Sequence, residues 1–259
     1  MNNLKIIETD INNIKEYGVC GYKNPDKPGY LEKLNWLRTQ YQFDLKIKIL
    51  YSHENGTQGM IEYLPGDLCW RPVNAKDFLF IHCLFVGFRR KYKNRGYGTK
   101  LIKNCLDEAS KEDYKGVAAV TRKGAFMAGK DIFIKNGFEI VDQAKPDFQL
   151  LVKKFNGKDK NPYFYHNWNE KLKKYQSGLF ILRSDQCPYS VKNVNEIIAI
   201  AKNKFNIQPN LVNLQNYKQA QKSPLPFGTF GIIYNGEILA HHPISSKRFS
   251  NIMSSLPNQ

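Results

Sequence analysis

The run DFLFIHCLFV, residues 77–86, is apolar at nearly every consecutive position. A strand that is apolar on both faces has to be covered on both faces, so it belongs in the middle of a layered sheet rather than in a one-sided hairpin. Its neighbours sort themselves around it. LKIKILY, 45–51, alternates Leu45, Ile47, Ile49 and Tyr51 against Lys46 and Lys48; after Glu54, Asn55 and Gly56 a second strand follows at 58–64, giving a hairpin with one wet face. LKIIET, 4–9, can supply a first strand, and PGYLEKLNWLRTQY sets Leu31, Leu34, Leu37 and Tyr41 on one helical face. Past the central run, the pattern predicts a helix from Gly96 to Lys111, a strand at 116–121, a helix near 127–136 and strands at 138–142 and 149–155. NGKDKNP, 156–162, combines Gly, Pro and charge without periodicity. The expected organisation is therefore an α/β domain with a mixed sheet over 1–155, a linker over 156–176 and a smaller α/β domain over 177–259.

The 259 residues are enough for two cores. The N-terminus has no charged region leading into an apolar stretch, and the longest apolar run is too short to span a bilayer, so a cytoplasmic protein without a membrane partner is expected. The five cysteines, Cys20, Cys69, Cys83, Cys105 and Cys187, are an odd number without metal-ligand spacing and read as thiols, with no metal site. The formal charge is +16, with 26 basic against 18 acidic side chains in residues 1–155 and 13 against 5 beyond. A surplus spread over both halves argues against a dedicated nucleic-acid face and suits anionic cofactors or substrates. Composition does not define an oligomeric state.

FRRKYKNRGYGTKLIKN carries seven Lys or Arg residues between Arg89 and Lys103 and no acid. Gly96 and Gly98 precede or open the helix, so backbone amides at its N-terminus can approach a phosphate without side-chain obstruction, and the helix dipole and Arg95 add positive field. A solvated basic loop capping a helix has the same composition, and the loop alone does not decide between the two. The order of elements adds to it. KNRGYGTKLI resembles the acyl-CoA signature of GNAT acetyltransferases, with Lys93 in the Gln or Arg position and Gly96 and Gly98 matching, and KDIFIKNGFE is similar to the later helix of that family, which ends in Gly-Phe, here Gly137 and Phe138.

The resemblance covers about residues 1–155 and implies an acyl-CoA acyltransferase fold with acetyl-CoA as cosubstrate. It implies that Leu84, Phe85 and Val86 offer backbone groups to the acetyl and pantetheine arm, and that Lys93, Asn94, Arg95, Gly96, Tyr97, Gly98 and Thr99 hold the pyrophosphate. Three features depart from the family pattern. The stretch from Val86 to Gly96 is about two residues longer than usual, the position of the customary general-acid tyrosine is Phe133, and the Asn common before that helix is not evident in TRKGAFMAGKD. His82 is the local candidate base, since strand parity with Leu84 and Val86 points it to their side of the sheet; a buried structural histidine is an equal reading. By the same parity Cys83 points away into core. Tyr92 or Tyr97 can supply a proton, or can pack the loop.

In the second half GLFILR, 178–183, reads as a buried strand, CPYS follows, and Val191, Val194, Ile197, Ile198 and Ala201 have helical spacing. Cys187 then stands at a helix N-terminus, where the dipole favours thiolate. QPNLVNLQN supplies another strand, and GTFGIIYNGEILAHHPIS two more joined through Asn235 and Gly236. The order resembles the thioredoxin-like fold, and CPYS resembles a glutaredoxin site with Ser190 at the resolving position, which excludes dithiol chemistry within the motif. The usual proline before the facing threonine is displaced, with Gly228 before Thr229 and the proline at Pro226. A GNAT domain joined to this tail is similar to the YoaP family, through HC (82–83), GYG (96–98), CPY (187–189) and ILAHHPIS (238–245). The leading expectation is an N-acetyltransferase acting on the amine of a small-molecule or peptide acceptor, with Cys187 helping to hold it; a basic surface would suit an acidic or phosphorylated one. A monothiol oxidoreductase centred on Cys187 and an acetyl-CoA-sensing binding protein are the alternatives.

Overall fold

The computed structural model describes residues 4–257. The chain forms two compact units, one of Met1–Asn24, Leu34–Cys69 and Val73–Tyr165, the other of Pro25–Lys33, Trp70–Pro72 and His166–Gln259. The division after Tyr165 falls inside the 156–176 segment, and the second unit also takes in two short excursions from the first half of the chain.

Up to Tyr165 the elements are β1 (Leu4–Thr9), α1 (Ile14–Tyr17), α2 (Tyr30–Gln40, whose first four residues count with the second unit), β2 (Lys46–Ser52), β3 (Gly56–Pro65), β4 (Val73–Asn74), β5 (Leu79–Val86), α3 (Tyr97–Lys111), β6 (Gly116–Thr121), α4 (Lys130–Lys135), β7 (Glu139–Ala144), β8 (Phe148–Lys154) and β9 (Tyr163–Phe164). Seven of the strands make one mixed sheet in the order β1-β2-β3-β5-β6-β8-β7. Every pairing in it is antiparallel except β5 with β6. The expected central strand is central, and α3 lies on one face of it, burying Leu101, Ile102, Cys105 and Leu106 with Ile61, Tyr63, Leu79, Ile81, Leu84, Val117 and Ala119. Ile47, Ile49, Met60 and Phe80, buried as well, alternate onto the opposite face, which is why the 77–86 run has no polar side. β4 and β9 pair separately, Val73 with Phe164 and Asn74 with Tyr163.

The second unit contains α5 (Trp168–Leu172), β10 (Leu179–Arg183), α6 (Pro188–Phe205), β11 (Asn210–Asn213), α7 (Tyr217–Gln221), β12 (Phe230–Tyr234), β13 (Glu237–Ala240) and α8 (Ser246–Ser255). Its sheet has the order β11-β10-β12-β13, with β10 and β11 parallel and the other pairs antiparallel. The β12–β13 hairpin turns through Asn235 and Gly236, both at positive φ, as that dipeptide demands. α6 starts earlier than its apolar spacing suggests because Pro188 takes the first helical position, where its missing N–H costs nothing. α8 was not expected; its start is capped by Ser245, whose Oγ accepts from the Arg248 N–H at 3.2 Å. No described helix is long and apolar enough to cross a membrane.

Candidate active site

β5 is paired with β3 along its whole length, but with β6 only from Leu79↔Val117 to Ile81↔Ala119. Both strands run on, to Val86 and Thr121, without further pairing to each other. The parallel pair therefore opens toward its C-terminal end, and the backbone edge of Leu84, Phe85 and Val86 faces the opening rather than a neighbouring strand. A backbone edge left in this way offers donors and acceptors to an extended ligand. Phe85 and Val86 are partly exposed, and the Phe85 ring meets Phe88 edge-on at 4.6 Å between centroids.

The same strand carries a bulge. Glu62 stands opposite Cys83, but Tyr63 stands opposite Ile81, so His82 is the extra residue. The alternation slips by one there: Leu79 and Ile81 share the α3 face with Leu84 and Val86, which a regular strand would forbid. His82 consequently does not lie on the side of Leu84 and Val86, contrary to the parity argument. It turns to the opposite face, edge-on to Phe80 at 5.5 Å and with Nδ1 3.8 Å from a Glu62 carboxylate oxygen. Both side chains are almost fully buried, at 1% and 0% exposure. Cys83, opposite Glu62, is partly exposed rather than core.

The basic loop leads from β5 to α3. Tyr92 is buried; its hydroxyl accepts from Asn55 Nδ2 at 2.7 Å and lies 3.3 Å from Ser52 Oγ, which ties the loop to the β2–β3 hairpin. Tyr92 is thereby a packing residue, and Tyr97 leans on it and on the α3 core. Asn94 and Gly96 adopt positive φ, 56° and 78°, and turn the chain into the helix. A Cβ placed on Gly96 would meet nothing within 4 Å, so the turn is open on the side a ligand would occupy. The first intrahelical bond runs from the Lys100 N–H to the Gly96 carbonyl at 3.0 Å, and the N–H groups of Tyr97, Gly98 and Thr99 are those that a first helical turn presents outward. Lys93 and Arg95 are exposed beside them, and a groove of about 420 Å3 runs along Gly96, Thr99, Lys100 and Lys103.

Gly98 brings the parts together. A Cβ there would lie 2.4 Å from Ile132 Cδ1 and 3.9 Å from Val86 Cγ2, so the helix start is pressed between α4 and the free end of β5. Asn136 Nδ2, at the end of α4, donates to Thr99 Oγ1 at 3.2 Å and fixes the same junction. Phe133 packs into the core against Phe138 at 5.4 Å and supplies no hydroxyl to the opening.

Two groups of residues were not anticipated. Glu108 on α3 accepts from Tyr63 at 2.7 Å and pairs with Lys48 and Lys46 of β2. Burial pushes its pKa up, but hydrogen bonds from Lys48 and Tyr63 outweigh it and hold the carboxyl below its usual range. The network sits over the sheet away from the opening and is structural. Arg122, just past β6, lines a cavity of about 570 Å3 with Thr121, α4 and the β7–β8 turn. Glu108 had a trace in the wet-face lysines of β2, which needed a partner; an isolated Arg after a strand carries no such mark.

In the second unit Cys187 is the half-buried N-cap residue of α6. Ser190 Oγ donates to the Cys187 carbonyl at 2.7 Å and is buried, so the residue at the resolving position serves the turn. The turn is also backed by Gly29, whose φ is 91° and whose Cβ, if present, would fall 2.1 Å from the Pro188 carbonyl oxygen. His242 Nδ1 lies 2.8 Å from the Pro243 carbonyl. Among the described residues no group of three or more His, Cys, Asp or Glu side chains is arranged to hold a metal ion.

Residues 19–128 match the acetyltransferase (GNAT) family, and residues 210–251, from β11 into α8, match the YoaP-like family. The second match begins after the Cys187 turn. The chain is 29% identical over 259 residues to "Uncharacterized N-acetyltransferase YoaP" of Bacillus subtilis (strain 168), covering 96% of this chain and 98% of that one. Among solved structures, the GNAT family N-acetyltransferase YhbS of Escherichia coli, in complex with CoA, is similar over 65% of this chain and 93% of its own, with 14% identity and a TM-score of 0.40. A Bacillus anthracis protein solved with acetyl coenzyme A is 20% identical, with a TM-score of 0.34, over 44% of this chain and 64% of its own, just under two thirds of its length.

Proposed function

From the premise that this chain carries a GNAT acetyltransferase domain followed by a YoaP-like domain, and is an acyltransferase on that ground, we propose that it transfers the acetyl group of acetyl-CoA to the amine of an acceptor. The observation that carries this reading is the contact line at Gly98. The open turn at Gly96 and the edge of β5 left without a β6 partner are neighbouring parts of one surface, close enough that one elongated thioester could touch both. On this assignment the N–H groups of Tyr97, Gly98 and Thr99, with Lys93, Asn94 and Arg95, take the pyrophosphate. The backbone of Leu84, Phe85 and Val86 takes the pantetheine arm and the acetyl carbonyl, as a β-strand takes an added strand.

The amine nitrogen then attacks the thioester carbon; the C–N bond forms, the C–S bond breaks, the amine gives up a proton and the departing sulfur takes one. His82 is the group assigned to receive the amine proton. The bulge sets it apart from the packed α3 face, and Glu62, 3.8 Å from Nδ1, is its positioning residue. No hydroxyl is assigned to the sulfur, since Phe133 occupies the customary position and the Tyr92 hydroxyl is engaged by Asn55.

For the second unit, the strand order β11-β10-β12-β13 with its single parallel pair supports a thioredoxin-like module, and the engaged Ser190 and the covering Gly29 support Cys187 as an accessory thiol rather than an exchange centre. The assignment of 1–155 and 177–259 as the two functional domains, and of the cytoplasm as the compartment, follows the same reading. The test is release of free CoA thiol from acetyl-CoA over a panel of amines. Release with at least one amine by the wild type and none by Gly96→Leu supports the transferase; binding of acetyl-CoA without release to any amine contradicts it.

A further inference from the structure

The cavity beside Arg122 has the chemistry of an anion site. Arg122 Nη2 is held by Asp147 at 3.1 Å, and the guanidinium lies over the Phe148 ring at 5.1 Å, so the group is fixed in place. Its Nε and Nη1 are buried and make no hydrogen bond to any described residue. Thr121 Oγ1, in a residue only 1% exposed, is in the same condition. Buried donors of a cation without acceptors are costly, and a single carboxylate does not satisfy a group with five N–H bonds. The wall holds four cationic side chains, Arg122, Lys123, Lys130 and Lys145, against Asp131 and Asp147.

Its place in the fold is equally specific. β6, which ends at Thr121, is the strand that parts from β5 at the opening, and the two run parallel, so Arg122 and Val86 lie at the same end of the sheet. α4, whose first residues line the cavity, is the helix pressed on Gly98 through Ile132. We propose that Arg122 and Thr121 bind an anionic group, carboxylate or phosphate, of the amine acceptor, so that the acceptors are acidic amines of the amino-acid or aminoalkyl-phosphate kind. The inference rests on the acetyl-transfer reading for the identity of its ligand, and its rival source of the same chemistry is a phosphate of acetyl-CoA itself.

The full chain and its Arg122→Gln and Arg122→Lys variants are compared with matched probes: amino acids, their carboxamides, aminoalkyl phosphates, and acetyl-CoA. Binding of each probe is followed by ligand-observed NMR, which needs no turnover, and thiol release is followed in parallel. The expected result is that an acid-bearing probe binds and reacts roughly tenfold or more better than its neutral counterpart, the range of a charge-assisted hydrogen bond. Arg122→Gln removes that preference, Arg122→Lys keeps part of it, and the acetyl-CoA affinity of both stays at the wild-type value. A preference unchanged in Arg122→Gln, or no binding of any acid-bearing probe, overturns the proposal. A tenfold loss of acetyl-CoA affinity in Arg122→Gln overturns it in favour of the cofactor's phosphate. Arg122-dependent binding of the acid probes by a protein that does not bind acetyl-CoA upholds the anion site and removes the transferase reading instead.

Discussion

Gly96 shows how much a single residue can determine. It stands at φ 78° with open space where a Cβ would point, so a leucine there meets no protein atom yet fills the turn and strains the backbone. Gly96→Leu is expected to weaken acetyl-CoA binding at least about tenfold, with a stability cost of only about 1–2 kcal/mol from the left-handed backbone; calorimetry and thermal unfolding on one preparation separate the two. Cys187→Ser is expected to leave acetyl-CoA affinity unchanged, since Cys187 lies in the other unit; a loss of affinity in that variant would contradict this division of labour. At this scale the turn itself was legible, because Gly96 can adopt the positive φ that the entry to the helix requires. The direction expected for His82 does not hold. Its parity with Leu84 and Val86 holds only in a regular strand, and the bulge that breaks the alternation depends on how β3 pairs with β5, which no single strand's composition encodes.

At the level of elements, α3 and the central strand follow directly from their apolar patterns, but the opening between β5 and β6 does not. Where two strands stop pairing is a property of both together, and each remains apolar past the point of separation. α4 begins at Lys130, later than expected, because Gly124 and Gly129 keep the preceding segment out of helix. Two element contacts lead to predictions. Glu108 anchors α3 to β2 by holding Lys48, whose side chain is 9% exposed; Glu108→Ala leaves that charge without its principal partner and is expected to cost about 3–5 kcal/mol in chemical denaturation. Gly29→Ala drives a methyl into the Pro188 carbonyl and strains a positive φ, so the α6 turn must shift, at an expected cost of about 1–3 kcal/mol. An unaltered midpoint for either variant would refute the corresponding contact.

In the whole molecule both units should gain stability as pH rises, each in its own window. The Glu108 carboxyl is held below its usual range, so its contribution to the first unit is present above the ordinary carboxylate pKa and is lost as pH falls through the lowered value. Burial, helped by Lys174, lowers Lys171 from 10.5 to about 8. Between those two values the unfolded chain holds a proton that the folded one has released, so the second unit gains stability as pH rises through that window. Lys171→Met is expected to flatten that rise in thermal melts; a wild-type stability constant from pH 8 to 10.5 would contradict the assignment. The partition of the chain was legible only in outline. The break after the first sheet is marked by NGKDKNP, whereas Pro25–Lys33 and Trp70–Pro72 belong to the second unit through long-range contacts such as Arg71 donating to the Phe227 carbonyl, and such contacts leave no local pattern. The acetyl-transfer reading depends on the surface formed by Gly96, Gly98 and the open edge of β5 being a coenzyme A site. The measurement that tests this most directly is calorimetric titration of acetyl-CoA into the wild-type chain and into Gly96→Leu. Saturable one-to-one binding by the wild type that Gly96→Leu weakens at least about tenfold is the predicted result, and no binding, or equal binding by both, would contradict it.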